Sequence, residues 1–322
     1  MTARNSKATK RRGPSESART AWIETPARGD REIINPLEVV ALEQGFGGSH
    51  YPAAIPEHWI CSFMDRLTIE IIRRYPAAHA IYSPGSLWGS EGKSQGADAG
   101  GDQVEGIDHT RRSRAALIFE HGGRRYGYAK LGMGAPVAAA GMERLIALGA
   151  KRIIITGTVG VIDPSIRRGD LIVATRAIRE EGTSYHYLPA ARFVQPSRSM
   201  QAALRETLDR IEYPHRTGTT WTTDAFYRET RDKIARMRLR DRAICVEMEA
   251  AAMFAVGRFR KIEVGALFYA SDAVGGRAWD FHNQDGGGAR HSRAVLLDVA
   301  LKTFESMGRP HAKAARHQAD SR

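Results

Sequence analysis

Apolar residues along this chain follow two spacings, and the spacings come in alternating blocks. Trp59–Phe63, Arg152–Thr156, Leu171–Ala174, Gly218–Thr223 and Val264–Ala270 are short runs rich in Ile, Val, Thr and aromatic residues, as buried strands are. Leu67–Arg74, Met200–Ile211 and Ser292–Ser306 instead repeat apolar positions at helical spacing, the last through Val295, Leu296, Val299 and Phe304. Another helix opens at Pro136, carries Val137, Gly141, Leu145 and Leu148 on one face, and ends at Gly149. Ala115–Phe119 and Arg125–Lys130 read as an antiparallel pair turning at Gly122-Gly123, with His79–Ser83 as a further strand. Pro36–Gln44 predicts a short helix stopped by Gly45. Strands and helices alternating through residues 55–307 predict an α/β fold: a single domain with a mixed central β-sheet flanked by helices.

Three stretches fall outside this pattern. Residues 1–31 and 308–322 are polar and basic and read as disordered tails around a folded domain at 32–307. Residues 85–114, rich in Gly, Ser, Asp and charge, read as a flexible insertion. The tails change how the net charge of +12 is read: they hold +5 and +3, leaving +4 for the domain itself. A mildly basic domain without a nucleic-acid motif argues against a specific nucleic-acid role. No apolar run reaches the ~20 residues that span a bilayer. The basic N-terminal stretch lacks the apolar core of a signal peptide, so a cytoplasmic location is expected. Cys61 and Cys245, far apart and without a partner motif, fit a reducing compartment. No metal-ligand spacing is present, and no metal is expected.

The candidate chemistry centres on Ala243–Ala255, AICVEMEAAAMFA. A short apolar run meets an alanine-rich helix there, and Glu247 and Glu249 stand at the junction. Such junctions lie where α/β sheets bind ligands. The plainer reading, that both carboxylates only complement the helix dipole, stays open here. Gly132-Met133-Gly134-Ala135-Pro136, Gly157-Thr158-Val159-Gly160 after the Arg152–Thr156 strand, Thr222–Thr230 (TTDAFYRET) and Ser271-Asp272 add glycine turns, an aromatic and an acid at strand ends.

Taken in order, these segments resemble the nucleoside phosphorylase/nucleosidase superfamily, which includes uridine phosphorylase, hexameric purine nucleoside phosphorylase and methylthioadenosine nucleosidase. The likeness covers roughly Tyr126 to Gly276. It implies a ribose site at Met248, Glu249 and Glu247, and a base site at Phe226, Val159 and Gly160. It also implies a phosphate site at Gly134, Gly157, Thr158 and Arg66. Asp272 is implied as the catalytic acid towards N7 of a purine, its proton affinity raised by burial; a helix-capping role is the alternative. Asp65 stands where nucleosidases place an acid that positions water. His186, in Glu181–Tyr187, is a pocket-closing or a structural histidine. The implied reaction is phosphorolysis of a nucleoside, purine-leaning, to free base and (deoxy)ribose 1-phosphate. No cofactor is implied beyond phosphate as co-substrate, and the partner is a second copy of the chain in a trimer or hexamer.

The sequence also departs from the pattern. Ile155 stands where uridine and purine phosphorylases place an arginine, two residues before the first glycine. Thr230 and Asp232 stand where uridine phosphorylases grip the pyrimidine edge. A nucleoside hydrolase, a pyrimidine phosphorylase and a non-catalytic nucleoside-binding regulator therefore remain as alternatives.

Overall fold

The computed structural model describes residues 32–45, 55–81, 116–281 and 287–308, with 42–45, 65 and 287–293 described by backbone only. The expected tail at 1–31, the insertion at 85–114 and all of the C-terminal tail beyond Gly308 lie outside these residues. The elements run α1 (Pro36–Gly45), β1 (His58–Ser62), α2 (Asp65–Arg74), β2 (His79–Ile81), β3 (Ala116–His121), β4 (Arg124–Lys130), α3 (Ala135–Leu148), β5 (Arg152–Val161) and β6 (Leu171–Glu180). They continue through β7 (Phe193–Val194), α4 (Arg198–Arg210), β8 (His215–Thr223), α5 (Arg231–Asp241), β9 (Ala243–Glu247), α6 (Ala250–Arg260), β10 (Glu263–Ala273) and α7 (Gly287–Met307). The strands form one mixed ten-stranded sheet, as the alternating pattern predicts.

Its topology is more particular than an open sheet. β5, β9, β8, β6 and β10 pair in succession, and β10 pairs back onto β5, so these five strands close into a ring. β1, β4, β3 and β2 extend from β5 as an open wing. β5 is the hinge of the whole arrangement. Along one edge it pairs with β10 from Arg152 to Val161. Along the other it pairs with β1 from Arg152 to Thr156 and with antiparallel β9 only at Gly160 and Val161.

The side-chain period of two decides which residues fill which layer. Trp59, Cys61, Ile153 and Ile155 enter one core with the alanines of α3 and α6, while Ile60 and Ile154 enter the other with α2, α4 and α7. Helix α6 is apolar on all sides, and Ala250 to Gly257 are buried, which marks it as a central helix. A third, smaller core gathers Ile178, Trp221, Ile234 and Met237 beneath α5. Cys61 and Cys245 are buried free thiols.

Four local expectations are corrected. The Gly157–Gly160 stretch is not a loop after β5 but part of it, because β10 carries the ladder through to Val161. Ser271 and Asp272 likewise lie inside β10, at a bulge between Ala270 and Asp272. In α3 the buried stripe runs through Ala135, Ala138, Met142 and Leu145, while Val137 is exposed. Small alanines let α3 pack closely, so the larger apolar residue was not the better marker of the core. Helix α7 also starts earlier than its apolar spacing suggests, at Gly287.

Gly127 in β4 lies under the ring of Trp59, and a Cβ built there would come within 2.3 Å of it. Trp59 is fully buried and its indole N–H donates to Pro56 O at 2.6 Å, so the ring cannot swing away. Gly127→Ala is therefore expected to cost about 1–3 kcal/mol by overpacking, read as a lower denaturation midpoint with an unchanged m-value.

Candidate active site

The wing and the ring leave a gap on one edge of β5. β1 ends at Ser62 opposite Thr156, and β9 arrives from the other direction at Gly160, so Gly157–Val159 have no strand partner on that edge among the described residues. The C-terminal ends of β1 and β9 therefore face each other across three residues of β5. Strand carboxyl ends that meet at a change of direction are where α/β sheets accept ligands.

Glu247 ends β9 and is buried, and four donors reach its carboxylate. Thr220 Oγ1 and Thr222 Oγ1 donate to Oε1 at 3.1 and 2.6 Å, and the amides of Glu249 and Ala250 donate to Oε2 at 2.8 and 2.6 Å. Thr222 Oγ1 in turn accepts the Ala251 amide at 3.0 Å. Burial pushes the Glu247 carboxyl up while these donors pull it down. A carboxylate offers about four acceptor sites, so Glu247 anchors the start of α6 rather than offering a free oxygen to a sugar. The dipole-side reading suits Glu247 better than the ribose-binding expectation.

Glu249 differs. Its Oε1 accepts the Gly134 amide at 2.7 Å and its Oε2 the Met248 amide at 3.3 Å, leaving acceptor capacity on both oxygens. Burial first, then the charge of Glu247, push its carboxyl up to about 8. Gly134 adopts φ +99°, a conformation that favours glycine, and this aims its N–H at Glu249. That amide, expected at a phosphate, is thus committed to the second glutamate. Met248 is half-buried between the two acids.

On the other edge of β5, Asp272 pairs in register with Gly160. Its Oδ1 accepts Ser271 Oγ and its Oδ2 accepts Trp279 Nε1, both at 2.7 Å, and Ser271 Oγ also reaches Val159 O at 3.1 Å. Asp272 is half-buried rather than buried, and the residues after it, 274–281, form a loop, which removes the helix-capping alternative. That loop folds back through an Ala273–Asp280 bridge, which sets Trp279 against the acid. Phe226 stands on a single 3-10 turn after β8, 41% exposed, its ring 3.8 Å from that of Tyr227. It is not a core aromatic.

Thr158 is half-buried and Val159 buried beside the gap. Phe63, just past β1, lies 3.5 Å from a Cβ built on Gly157. Arg66 is exposed on the first turn of α2, one turn from that junction. Asp65 opens the same helix, and its side chain lies outside the described residues. His186 is exposed on the 3-10 turn Thr183–His186. Ile155 is in the core and supplies no cation from β5.

Glu229 is an acid that the sequence did not single out. It lies three residues past Phe226, half-buried, with its amide donating to Phe226 O at 3.1 Å. Burial, then the charge of Asp272, push its carboxyl up to about 7. Nothing in TTDAFYRET signals this, because the neighbouring charge comes from a strand some forty residues later. No group of three or more metal-ligating side chains occurs among the described residues. No helix there is long and apolar enough to cross a membrane.

Comparison with known proteins gives the family. Residues 93–300 match the family model of the phosphorylase superfamily, so the chain belongs to that superfamily. It is 35% identical over 146 residues to a uridine phosphorylase of Treponema pallidum, covering 42% of this chain and 57% of that protein. It is 30% identical over 136 residues to a guanosine phosphorylase of Halorubrum lacusprofundi, covering 42% of this chain and 56% of that protein. The matched stretches thus span just over half of those relatives. The crystal structure of uridine phosphorylase from Vibrio fischeri shares the fold, with a TM-score of 0.61, 19% identity, and 78% and 93% of the two chains covered.

Two outcomes follow from the paired glutamates. Glu249 binds a proton in the folded state above the ordinary 4.5 and up to about 8. Stability should therefore fall as pH rises through that window, where the unfolded chain has already released the proton. Glu249→Gln should flatten this part of the slope, read from denaturant midpoints across the window. Thr222→Val should remove one of the four donors to Glu247 and leave the Ala251 amide without its acceptor, at about 1–3 kcal/mol, in the same assay.

Proposed function

We propose that the protein is a nucleoside phosphorylase, cleaving the N-glycosidic bond of a nucleoside with inorganic phosphate to give a free base and (deoxy)ribose 1-phosphate. The observation that carries this reading is the partnerless edge of β5 at Gly157–Val159, with Glu249 just past the end of β9 on that edge and Asp272 level with Gly160 on the other. Glu249, with acceptor capacity left, takes the ribose hydroxyls, and Met248 packs beneath the sugar. Phe226 lies against the base. As the glycosidic bond stretches, the sugar becomes cationic and the base gains negative charge. A carboxyl at the end of β10 that gives a proton to the base stabilises that state more than the ground state. The backbone amide of Gly157 or Thr158 that faces the open edge of β5, with Arg66, holds the nucleophile near the anomeric carbon. The reaction needs no cofactor beyond phosphate.

The base is read as a purine, since an acid beside N7 serves a purine leaving group, and the relatives that match include both a uridine and a guanosine phosphorylase. Hydrolysis is the second reading, favoured by one observation: Ile155 fills the place of a cation on β5 and lies in the core. The chain is further proposed to work in the cytoplasm as a homo-oligomer.

The test is release of free base from inosine, guanosine, adenosine and uridine with and without phosphate. The expected result is phosphate-dependent release from a purine nucleoside, reduced about 10²-fold or more in Asp272→Asn. Release at the same rate without phosphate would establish hydrolysis instead. Binding without any release would support a nucleoside-binding regulator.

A further inference from the structure

We propose that α5 is a docking surface for the phosphate backbone of a nucleic-acid strand, held without regard to base sequence. It stands apart from the chemistry at the gap in the sheet.

Residues 231–242, α5 and the residue after it, hold five Arg and one Lys against Asp232 and Asp241, a net charge of +4. The whole domain at 32–307 also carries +4. The rest of the domain is therefore balanced, and one short helix holds its entire surplus. Ile234, Met237 and Asp241 turn inward, while Arg231, Arg236, Arg238, Arg240 and Arg242 are all exposed.

Structural roles within the chain do not account for these arginines. Lys233 Nζ lies 2.7 Å from Glu180 Oε1, and the buried Asp241 is taken by Arg192, with Arg240 Nε 3.8 Å away. The helix dipole favours Arg238 and Arg240 in the last turn, but it disfavours Arg231 at the start. Positions four apart on a helix are neighbours, so Arg236 and Arg240 form a like-charged pair that an anion would relieve.

The cationic surface continues past the helix. The Asp163 amide donates to Ile244 O at 3.1 Å, which sets the loop after β5 beside the end of α5. Arg167 is exposed on that loop, and the exposed Arg216 donates from Nη2 to Ser165 O there at 3.3 Å. Asp163 is an acid in the field of Arg238 and Arg216, and its Oδ1 already accepts the Ser165 amide at 2.9 Å.

A phosphodiester chain fits this surface better than a protein does. Protein partners bury an apolar centre depleted of charge, and Leu239 is the one large apolar side chain that α5 exposes. Arginine grips phosphate oxygens with two parallel donors, and a nucleic-acid strand supplies one negative charge per nucleotide.

The test is fluorescence anisotropy of a labelled single-stranded oligouridylate with the full-length protein, between about 50 and 200 mM salt. The comparison is a variant combining Arg236→Gln, Arg238→Gln and Arg240→Gln. All three side chains are exposed, so its denaturation midpoint should be no lower than that of wild type. The basic tails also attract RNA, and the difference between the two proteins isolates the helix. The variant should bind about 10-fold or more weakly at fixed salt, and its slope of log K against log salt should flatten by about 2, at about 0.7 per phosphate contact on a single strand. Inorganic polyphosphate should displace the oligonucleotide from wild type, and inosine should not. Equal affinity and slope in the two proteins would assign the binding to the tails and overturn the proposal, as would no binding by wild type. Two further results would also overturn it. Tighter binding of polyglutamate than of the oligonucleotide would make the partner an acidic protein, and a changed oligomeric state in the variant with RNA binding intact would make this face a contact between copies.

Discussion

The site depends on one buried carboxylate. Glu247 collects two threonine hydroxyls from β8 and two backbone amides from the start of α6, and so ties strand, strand and helix at a single point. An unpaired charge at that depth would cost several kcal/mol; four donors offset it. They also satisfy two of the four amides that any helix start leaves without an intrahelical partner. Because Glu247 is held from all sides, Glu249 two residues on has a fixed place, and Gly134 reaches across from α3 to fix its carboxyl as well. Burial and the charge of Glu247 raise the proton affinity of Glu249, and the fold accepts that cost where a sugar would bring hydroxyl donors.

The sheet supplies the space. A continuous neighbour along β5 would cover Gly157–Val159, but β1 stops at Ser62 and β9 approaches from the opposite direction. That gap exists because five strands close a ring while four others leave as a wing. The same closure brings β10 along the far edge, so that Asp272 lies level with Gly160, and Glu249 and Asp272 are held on opposite sides of one strand. A separate cavity of about 670 Å³ lies between α4 and α7, lined by Arg152, Glu263 and Lys302 among others. It opens at the starts of β5 and β10, away from this chemistry.

Much of this was legible in the residues. The β-branched runs became strands, the helical spacing became helices, and Glu249 and Asp272 stand at the ends of strands that flank β5. What could not be read was anything set by pairing between distant segments. The ladder from β10 turns the Gly157–Gly160 stretch into strand, and no local spacing records it. The charge of Asp272 also reaches Glu229, which in sequence is one acid in a charged turn. The fate of the Gly134 amide depends on an acid 115 residues away. Glu247 and Glu249 looked alike in sequence, and only the threonines of β8 separate an anchor from a group with capacity to spare.

The central claim is that this gap joins a nucleoside sugar to phosphate. The most direct measurement is the phosphorus NMR spectrum of the full-length protein turning over a purine nucleoside in inorganic phosphate. A new phosphomonoester signal from a sugar 1-phosphate, growing in step with free base, is the predicted result. Free base accumulating with free ribose and an unchanged phosphate signal would contradict it.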